Sequence, residues 1–195
     1  MIKQIMDLVA SVERDGKRLN QHLPEWAAYL EYVKGYLLLH GITKPIVVEI
    51  GILDGAQRRF YEELFGAEYI GLDIDPNAPA DIRGDSGTKA VFDQLKKRLN
   101  GRMIDVLFID GLHTYEGVKA DYDLYAPLTK HIVAVHDIHT PKLVPGDTVD
   151  VIRWWRELLS KNTEDTVIII QHHNPRPLHV FNGRPLGIGL IVKRR

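Results

Sequence analysis

The chain has 195 residues, is 45% hydrophobic and carries a formal net charge of -1. That length suits one domain with a helical extension, and the charge gives no electrostatic reason to bind nucleic acid or an acidic membrane surface. It contains no cysteine, which removes disulfides, thiolate metal sites and cysteine nucleophiles and fits a reducing, cytoplasmic compartment.

The opening stretch, MIKQIMDLVASVERDGK, is too polar for a signal peptide, and no apolar run approaches the roughly 20 residues of a membrane span. Ile2, Ile5, Met6, Val9 and Val12 recur at helical spacing up to Asp15-Gly16. A second helix is predicted from Pro24, with Trp26, Leu30, Val33 and Leu37 on one stripe and Gly41 at its end. Residues 1–41 therefore read as a helical lid and residues 42–195 as the core of the same domain.

From Pro45 the texture changes to short β-branched runs: PIVVEIG, EYIGLDID, the weaker ADIRGDS, IDVLFIDG and HIVAVHD. Helical patterns lie between them, marked by Phe60 and Leu64, by Val91, Phe92, Leu95 and Leu99 (Ser86 or Thr88 capping, Gly101 ending), and by Val118, Tyr122 and Tyr125. After a Pro-containing loop, Val151, Trp155 and Leu158 share a helical face, and TVIIIQ and GIGLIVK follow as two last strands able to pair antiparallel. Strands alternating with helices imply βαβ units, and near-continuous apolar strands imply a sheet covered on both faces. The predicted fold is α/β: a Rossmann-like, doubly wound, mostly parallel sheet of about seven strands with an antiparallel C-terminal edge and an N-terminal helical extension.

Open parallel sheets bind ligands outside the carboxyl ends of their strands. Successive predicted strands end in Glu49 and Gly51, in Asp73 and Asp75, in Asp85, in Asp110 with His113 just beyond, and in His136-Asp137. An isolated Asp there is explained by turn formation alone, as for Asp75 or Asp81; an unbroken series points to a ligand rim. In EIGILDGAQRRF, Gly51 and Gly55 permit a tight turn and close approach of a ligand, but Leu53 stands where a dinucleotide fingerprint needs its second glycine. That argues for a nucleoside without a pyrophosphate. Asp73, 22 positions after Gly51, has the spacing of an acid that grips ribose hydroxyls.

Taken together, VVEIGILDG, YIGLDID, RGDS and FIDGLHTYEGV…HD resemble the motifs of class I S-adenosylmethionine-dependent methyltransferases, most closely the small macrocin O-methyltransferase and cephalosporin-hydroxylase-like proteins, over roughly residues 45–137. The resemblance implies that S-adenosylmethionine is the cofactor. It implies that Glu49 lies near the methionine amino group and that Gly51 and Gly55 let the loop pass the methionine and ribose. It also implies that Asp73 holds the ribose hydroxyls, that Asp85 with Ser86 receives the adenine amino group, and that Asp110 sits at the methionine end or holds a metal. Gln57, where such proteins often have Ser or Thr, and Lys130-His131, in place of a Gly-Gly, depart from the pattern.

For a hydroxyl acceptor, a neutral imidazole serves as general base, and His113 is the candidate; the plainer reading is that it braces the following helix. A divalent cation between Asp110 and Asp137, with His136 in its shell, would be Mg²⁺ on oxygen ligands alone, whereas His136 or His113 would admit Mn²⁺, Fe²⁺ or Zn²⁺. Seven of the nine histidines fall at or after position 113, His139 and His172-His173 among them, and loop positions account for most. Trp154-Trp155 reads as helix packing and Tyr115 as core or acceptor wall. The expected partner is a small hydroxylated molecule, a sugar or natural product. The alternatives are a metal-dependent hydroxylase or hydrolase and a non-catalytic nucleoside-binding module.

Overall fold

The computed structural model describes residues 1–139, 149–171 and 186–194. Its elements in chain order are α1 (Ile2–Arg14), α2 (Leu23–Leu39), β1 (Ile46–Ile50), α3 (Arg58–Phe65), β2 (Glu68–Asp73), β3 (Ile82–Arg83), α4 (Lys89–Leu99), β4 (Ile104–Ile109), α5 (Tyr115–Tyr125), a 3₁₀ turn (Ala126–Leu128), β5 (Thr129–His136), α6 (Val151–Lys161), β6 (Thr166–Ile170) and β7 (Ile188–Val192). The strands form one seven-stranded sheet in the order β3-β2-β1-β4-β5-β7-β6, with β7 antiparallel to both of its neighbours. The order reverses direction at β1 and β4, and this switch point faces the ligand side of such sheets.

Alternation along the strands feeds two cores. Val47, Val106, Phe108, Ile132 and Ala134 face the helical layer of α1, α2 and α3, whereas Val48, Ile50, Leu107, Ile109, Val133 and Val135 face α4, α5 and α6. The parity of β4 changes at a register shift between Ile104 and Val106. There Asp105 Oδ2 accepts from Ile46 N at 2.7 Å. Trp26 of α2 is fully buried and meets Phe60, Tyr61 and Phe108 edge to face at centroid distances of 5.8, 5.8 and 5.6 Å. Each such contact contributes about 0.5–1.5 kcal/mol beyond the area it buries.

Several expectations need correction. α1 is rotated from its expected face: Ile5, Leu8 and Val12 are buried, whereas Ile2 and Met6 are 61% and 47% exposed. Arg59 of α3 fixes this rotation by donating to Ser11 Oγ at 2.6 Å and Asp15 Oδ2 at 2.8 Å. The helices of residues 1–41 lie in the layer over one sheet face, and it is the connection between them that reaches the rim, through Arg18, Asn20 and Gln21. Thr88, not Ser86, caps α4, and Asn100, one position before Gly101, takes the left-handed C-cap. On α5 the buried positions are Val118, Asp121 and Tyr125, so an acid replaces Tyr122 on the inner face. His172-His173 and most of the loops after β5 and β6 lie outside the described residues. No described helix is long and apolar enough to cross a membrane.

Gly189 in β7 is required by packing, because a Cβ there would stand 2.3 Å from Trp155 Cη2. Gly189→Ala should cost about 1–3 kcal/mol, read as a lowered urea midpoint with unchanged far-ultraviolet dichroism; an unchanged midpoint would contradict this packing.

Asp121 is 2% exposed, and burial raises its carboxyl from 3.8 to about 6, a hydrogen bond from Ser86 only partly offsetting the rise. Its charged form is therefore disfavoured in the folded state. Stability is lost as pH climbs from about 4 through about 6, by an amount on the order of 2–3 kcal/mol. In Asp121→Asn this loss should vanish, so urea unfolding of wild type and variant diverges as pH rises from 4 to 7, the variant being the more stable at the upper end. Parallel curves would show that Asp121 is not held neutral.

Candidate functional site

The carboxyl ends of β1 to β5 open onto one cavity of about 700 Å³, a size that suits a nucleoside-like ligand. Gly51, Asp73, Asp85 with Ser86, Asp110 with His113, and His136 with Asp137 all border it. Of the residues assigned above to the cofactor, the base or the metal, Glu49 and Gly55 do not.

Gly51 has φ +82°, and a Cβ on it would stand 2.2 Å from the carbonyl oxygen of Asp110. The glycine is needed first because β4 ends against it, with Gly51 N donating to Leu72 O and Asp110 N to Ile50 O. Gly55, at φ +71°, is packed on Pro79, whose Cγ a Cβ would meet at 2.9 Å. Asp73 sets the shape of the loop between these glycines. Its Oδ2 accepts from Ile52 N at 2.8 Å and Leu53 N at 3.0 Å, and its Oδ1 accepts from Asp75 N at 2.8 Å. A carboxylate offers about four acceptor sites, so Asp73 braces the loop and retains room for a further donor. Leu53 is held at φ +51° with its side chain at the cavity mouth. That left-handed conformation is costly for a non-glycine residue and persists only where the surroundings impose it.

Glu49 lies behind the loop. It is fully buried, Tyr69 donates its hydroxyl to Oε2, and Oε1 has no partner among the described residues. Burial pushes its carboxyl well above the usual range; the Tyr69 hydrogen bond opposes this and the Asp110 charge adds to it. At the other end of the cavity, Asp85 Oδ1 accepts from Gly87 N at 2.9 Å and Ser86 O accepts from the Tyr125 hydroxyl at 2.7 Å. Leu53, Ile74 and Leu112 are 57%, 68% and 65% exposed and all border the cavity, which gives its mouth an apolar rim.

The ends of β4 and β5 bring four ionisable groups together. Asp110 Oδ1 is 2.9 Å from His136 Nδ1 and 3.1 Å from His113 Nε2. Asp137 stands 3.3 Å from His113 Nε2 and 3.5 Å from His136 Nδ1. Asp137 has φ +61° and is 8% exposed, so its strained backbone directs a buried carboxylate back into the cluster. Gln21 Nε2 donates to Asp110 Oδ2 at 2.7 Å, and Gln21 Oε1 is buried without a partner among the described residues. Burial alone would push the Asp110 carboxyl up, but the imidazoles, His136 foremost, hold it well below the usual carboxylate range. Burial likewise opposes charge on His136, yet Asp110 and then Asp137 outweigh it and raise the imidazole to about 9. His113 moves in the same direction for the same reason, with burial again opposing. An imidazole whose nitrogen faces two carboxylates keeps its proton, so the geometry fits poorly with His113 as a neutral base.

Neither Tyr115, whose hydroxyl donates to Glu157, nor Trp154, Trp155 or His139 borders the cavity. Sequence reasoning missed Gln21, Arg18 and Leu112. Gln21 and Arg18 sit in a motif-free connection, and no local pattern announces that a loop distant in sequence will fold over the rim. Asp121 was missed because an acid on an inner helical face looks, in sequence, like an exposed one.

Residues 48–138 match the model of a methyltransferase-domain family, Methyltransf_24. No curated protein sequence matches the chain. Among solved structures, the MycE methyltransferase of the mycinamycin biosynthetic pathway, crystallised with Mg and SAH, superposes with a TM-score of 0.63 at 18% identity, over 97% of this chain and 55% of that one. The chain thus spans about half the length of MycE. The O-methyltransferase TomG from Streptomyces achromogenes, in complex with SAM, gives 0.58 at 11% identity over 97% and 89% of the two chains. An O-methyltransferase from Bacillus cereus, in complex with SAH, gives 0.54 at 12% over 98% and 90%. The segment that supplies every strand end around the cavity, residues 48–138, is thus the part that matches the methyltransferase-domain model, and the chain shares the Rossmann-like fold of these methyltransferases.

Proposed function

We propose that the protein transfers a methyl group from S-adenosylmethionine to a hydroxyl of a small molecule, with a divalent cation at the β4–β5 end. One observation carries this reading: a single cavity has Asp73 and Asp85 at one end and the Asp110 cluster at the other. The first pair suits the hydroxyls and amino group of adenosine; the second suits a charged reacting centre. MycE, whose complex with Mg, SAH and mycinamycin VI superposes with a TM-score of 0.63, gives the analogy for both the metal and a small-molecule acceptor.

In this reading Asp73 accepts from the ribose while bracing the loop, Gly51 lets main chain pass the methionine arm, and Asp85 with Ser86 receives the adenine. Ile74 and Leu112 shield the base from water at the cavity mouth. Glu49, behind the loop, acts through position rather than contact. The acceptor oxygen attacks the methyl carbon, the carbon–sulfur bond breaks, and neutral S-adenosylhomocysteine leaves. The hydroxyl proton passes to a carboxylate, and Asp137, directed into the cluster, is placed to take it. A bound dication would polarise the acceptor hydroxyl and ease that loss. Asp110, His136 and Asp137 supply the oxygen and nitrogen donors such an ion requires. Alignment of donor and acceptor accounts for the rest of the acceleration.

A second reading, metal-dependent hydroxylation or hydrolysis on the same fold, draws on the two imidazoles beside Asp110. Calorimetry with S-adenosylhomocysteine separates the two, and the methyltransferase reading fails if the wild type does not bind it. Asp73→Ala and Asp85→Ala should each weaken binding about 10- to 100-fold, as expected for loss of a hydrogen bond to a charged group. Asp73→Ala should also lower the unfolding midpoint, because it frees the Ile52 and Leu53 amides. Unchanged affinity in either variant removes that residue from the cofactor site.

A further inference from the structure

The donors that converge at the end of β4 are richer in nitrogen than a magnesium site requires. We propose that Asp110, His113 and His136 form the core ligand set of a transition-metal dication such as Zn²⁺, Mn²⁺ or Fe²⁺, chosen over Mg²⁺, with the Asp137 carboxylate beside them on the ion's side of both rings. This rests on the metal-assisted reading above and deepens it. His113 joins the ligand set expected from sequence and ceases to be a base.

Three observations carry it. First, Asp110, His113 and His136 form the group, among the described residues, whose donor atoms all lie within 4.8 Å of one another, and Asp137 is not part of it. The spacings from Asp110 Oδ1 are 2.9 Å to His136 Nδ1 and 3.1 Å to His113 Nε2. With metal–ligand bonds of about 2.0–2.2 Å, neighbouring donors around a four- to six-coordinate ion stand about 3.0–3.5 Å apart. Second, two imidazoles and one carboxylate suit zinc, iron and manganese, whereas Mg²⁺ prefers oxygen and retains water. Third, an outer contact of a metal site is already in place. Gln21 Nε2 holds Asp110 Oδ2 at 2.7 Å, which leaves Oδ1 as the single ligating oxygen. The Asp137 carboxylate is 3.3 and 3.5 Å from the same two ring nitrogens, within the spacing of neighbouring donors, so it can add an oxygen to the ion or hold a water bound to it. An outer partner such as Gln21 fixes ligand orientation and changes affinity when removed. Three protein ligands on one side leave open positions toward the cavity that they border, where an acceptor hydroxyl would enter.

The test uses the full chain, stripped with a chelator and titrated with ZnCl₂, MnCl₂ and MgCl₂ by calorimetry, alongside long-range ¹H–¹⁵N spectra of the imidazole rings. The expected result is one Zn²⁺ bound at least ~100-fold more tightly than Mg²⁺, with the His113 and His136 ring nitrogens shifting on Zn²⁺ and not on Mg²⁺. His113→Ala should weaken Zn²⁺ by roughly 100-fold and Gln21→Ala by about tenfold, whereas His113→Asp should narrow the gap to Mg²⁺. Mg²⁺ within tenfold of Zn²⁺, ring nitrogens unmoved by Zn²⁺, or a His113→Ala protein with wild-type Zn²⁺ affinity would each overturn the proposal. The wild-type spectra decide the matter if the variants do not fold. Binding of S-adenosylhomocysteine without the zinc preference sinks this proposal alone; the zinc preference without such binding sinks the methyltransferase reading alone.

Discussion

The main chains of β1 and β4 converge so closely that no side chain fits between them at Gly51, where a Cβ would lie 2.2 Å from the Asp110 carbonyl oxygen. The rest of the site depends on this approach. The two strands are neighbours where the strand order turns back on itself, and their ends must part to make a crevice. Gly51 turns one chain away at φ +82° while Asp110 begins the departure of the other. The glycine loop, the Asp110 carboxylate and the cavity between them follow from that divergence.

Burial then sets the chemistry. Asp110, His136 and Asp137 are largely removed from water, and a lone charge there would be prohibitively costly. They are tolerated because each carries its counter-charge: acids pull the imidazoles up, and imidazoles hold Asp110 down. Such a cluster is weak evidence of a stabilising role, since buried ion pairs often do no better than apolar replacements. Its place at a rim, beside a strained Asp137, fits a functional origin better. Asp81 makes the contrast. It accepts from Gly71 N and pairs with Arg58 and Arg98 away from the cluster, and fold support accounts for it fully.

In the loop after β1, one residue braces the structure and, under the proposed function, also serves the ligand. Asp73 is spent on the Ile52 and Leu53 amides before any ligand arrives. That arrangement preorganises the loop, so less ordering is left to be done on binding. The same economy appears in Gln21, whose amide ties the α1–α2 connection to Asp110 and so couples the cover of the cavity to the acid–imidazole cluster.

Local pattern in the sequence determined the strands, their alternation with helices and the series of acids at their ends. It did so because a strand buried on both faces must be apolar throughout and can carry a polar residue only where it leaves the sheet, as PIVVEIG and VLFIDG do. Gly51 was legible as a turn, though not as the point where another strand crosses. The face of α1, the burial of Glu49 behind the loop, the inner position of Asp121 and the reach of Gln21 were decided by tertiary packing alone. Each depends on a partner far away in the chain: Arg59 for α1, Tyr69 for Glu49, Ser86 for Asp121 and Asp110 for Gln21. The same holds for His113. Its sequence position put it at the end of β4, but only the approach of β5 set Asp137 beside its ring.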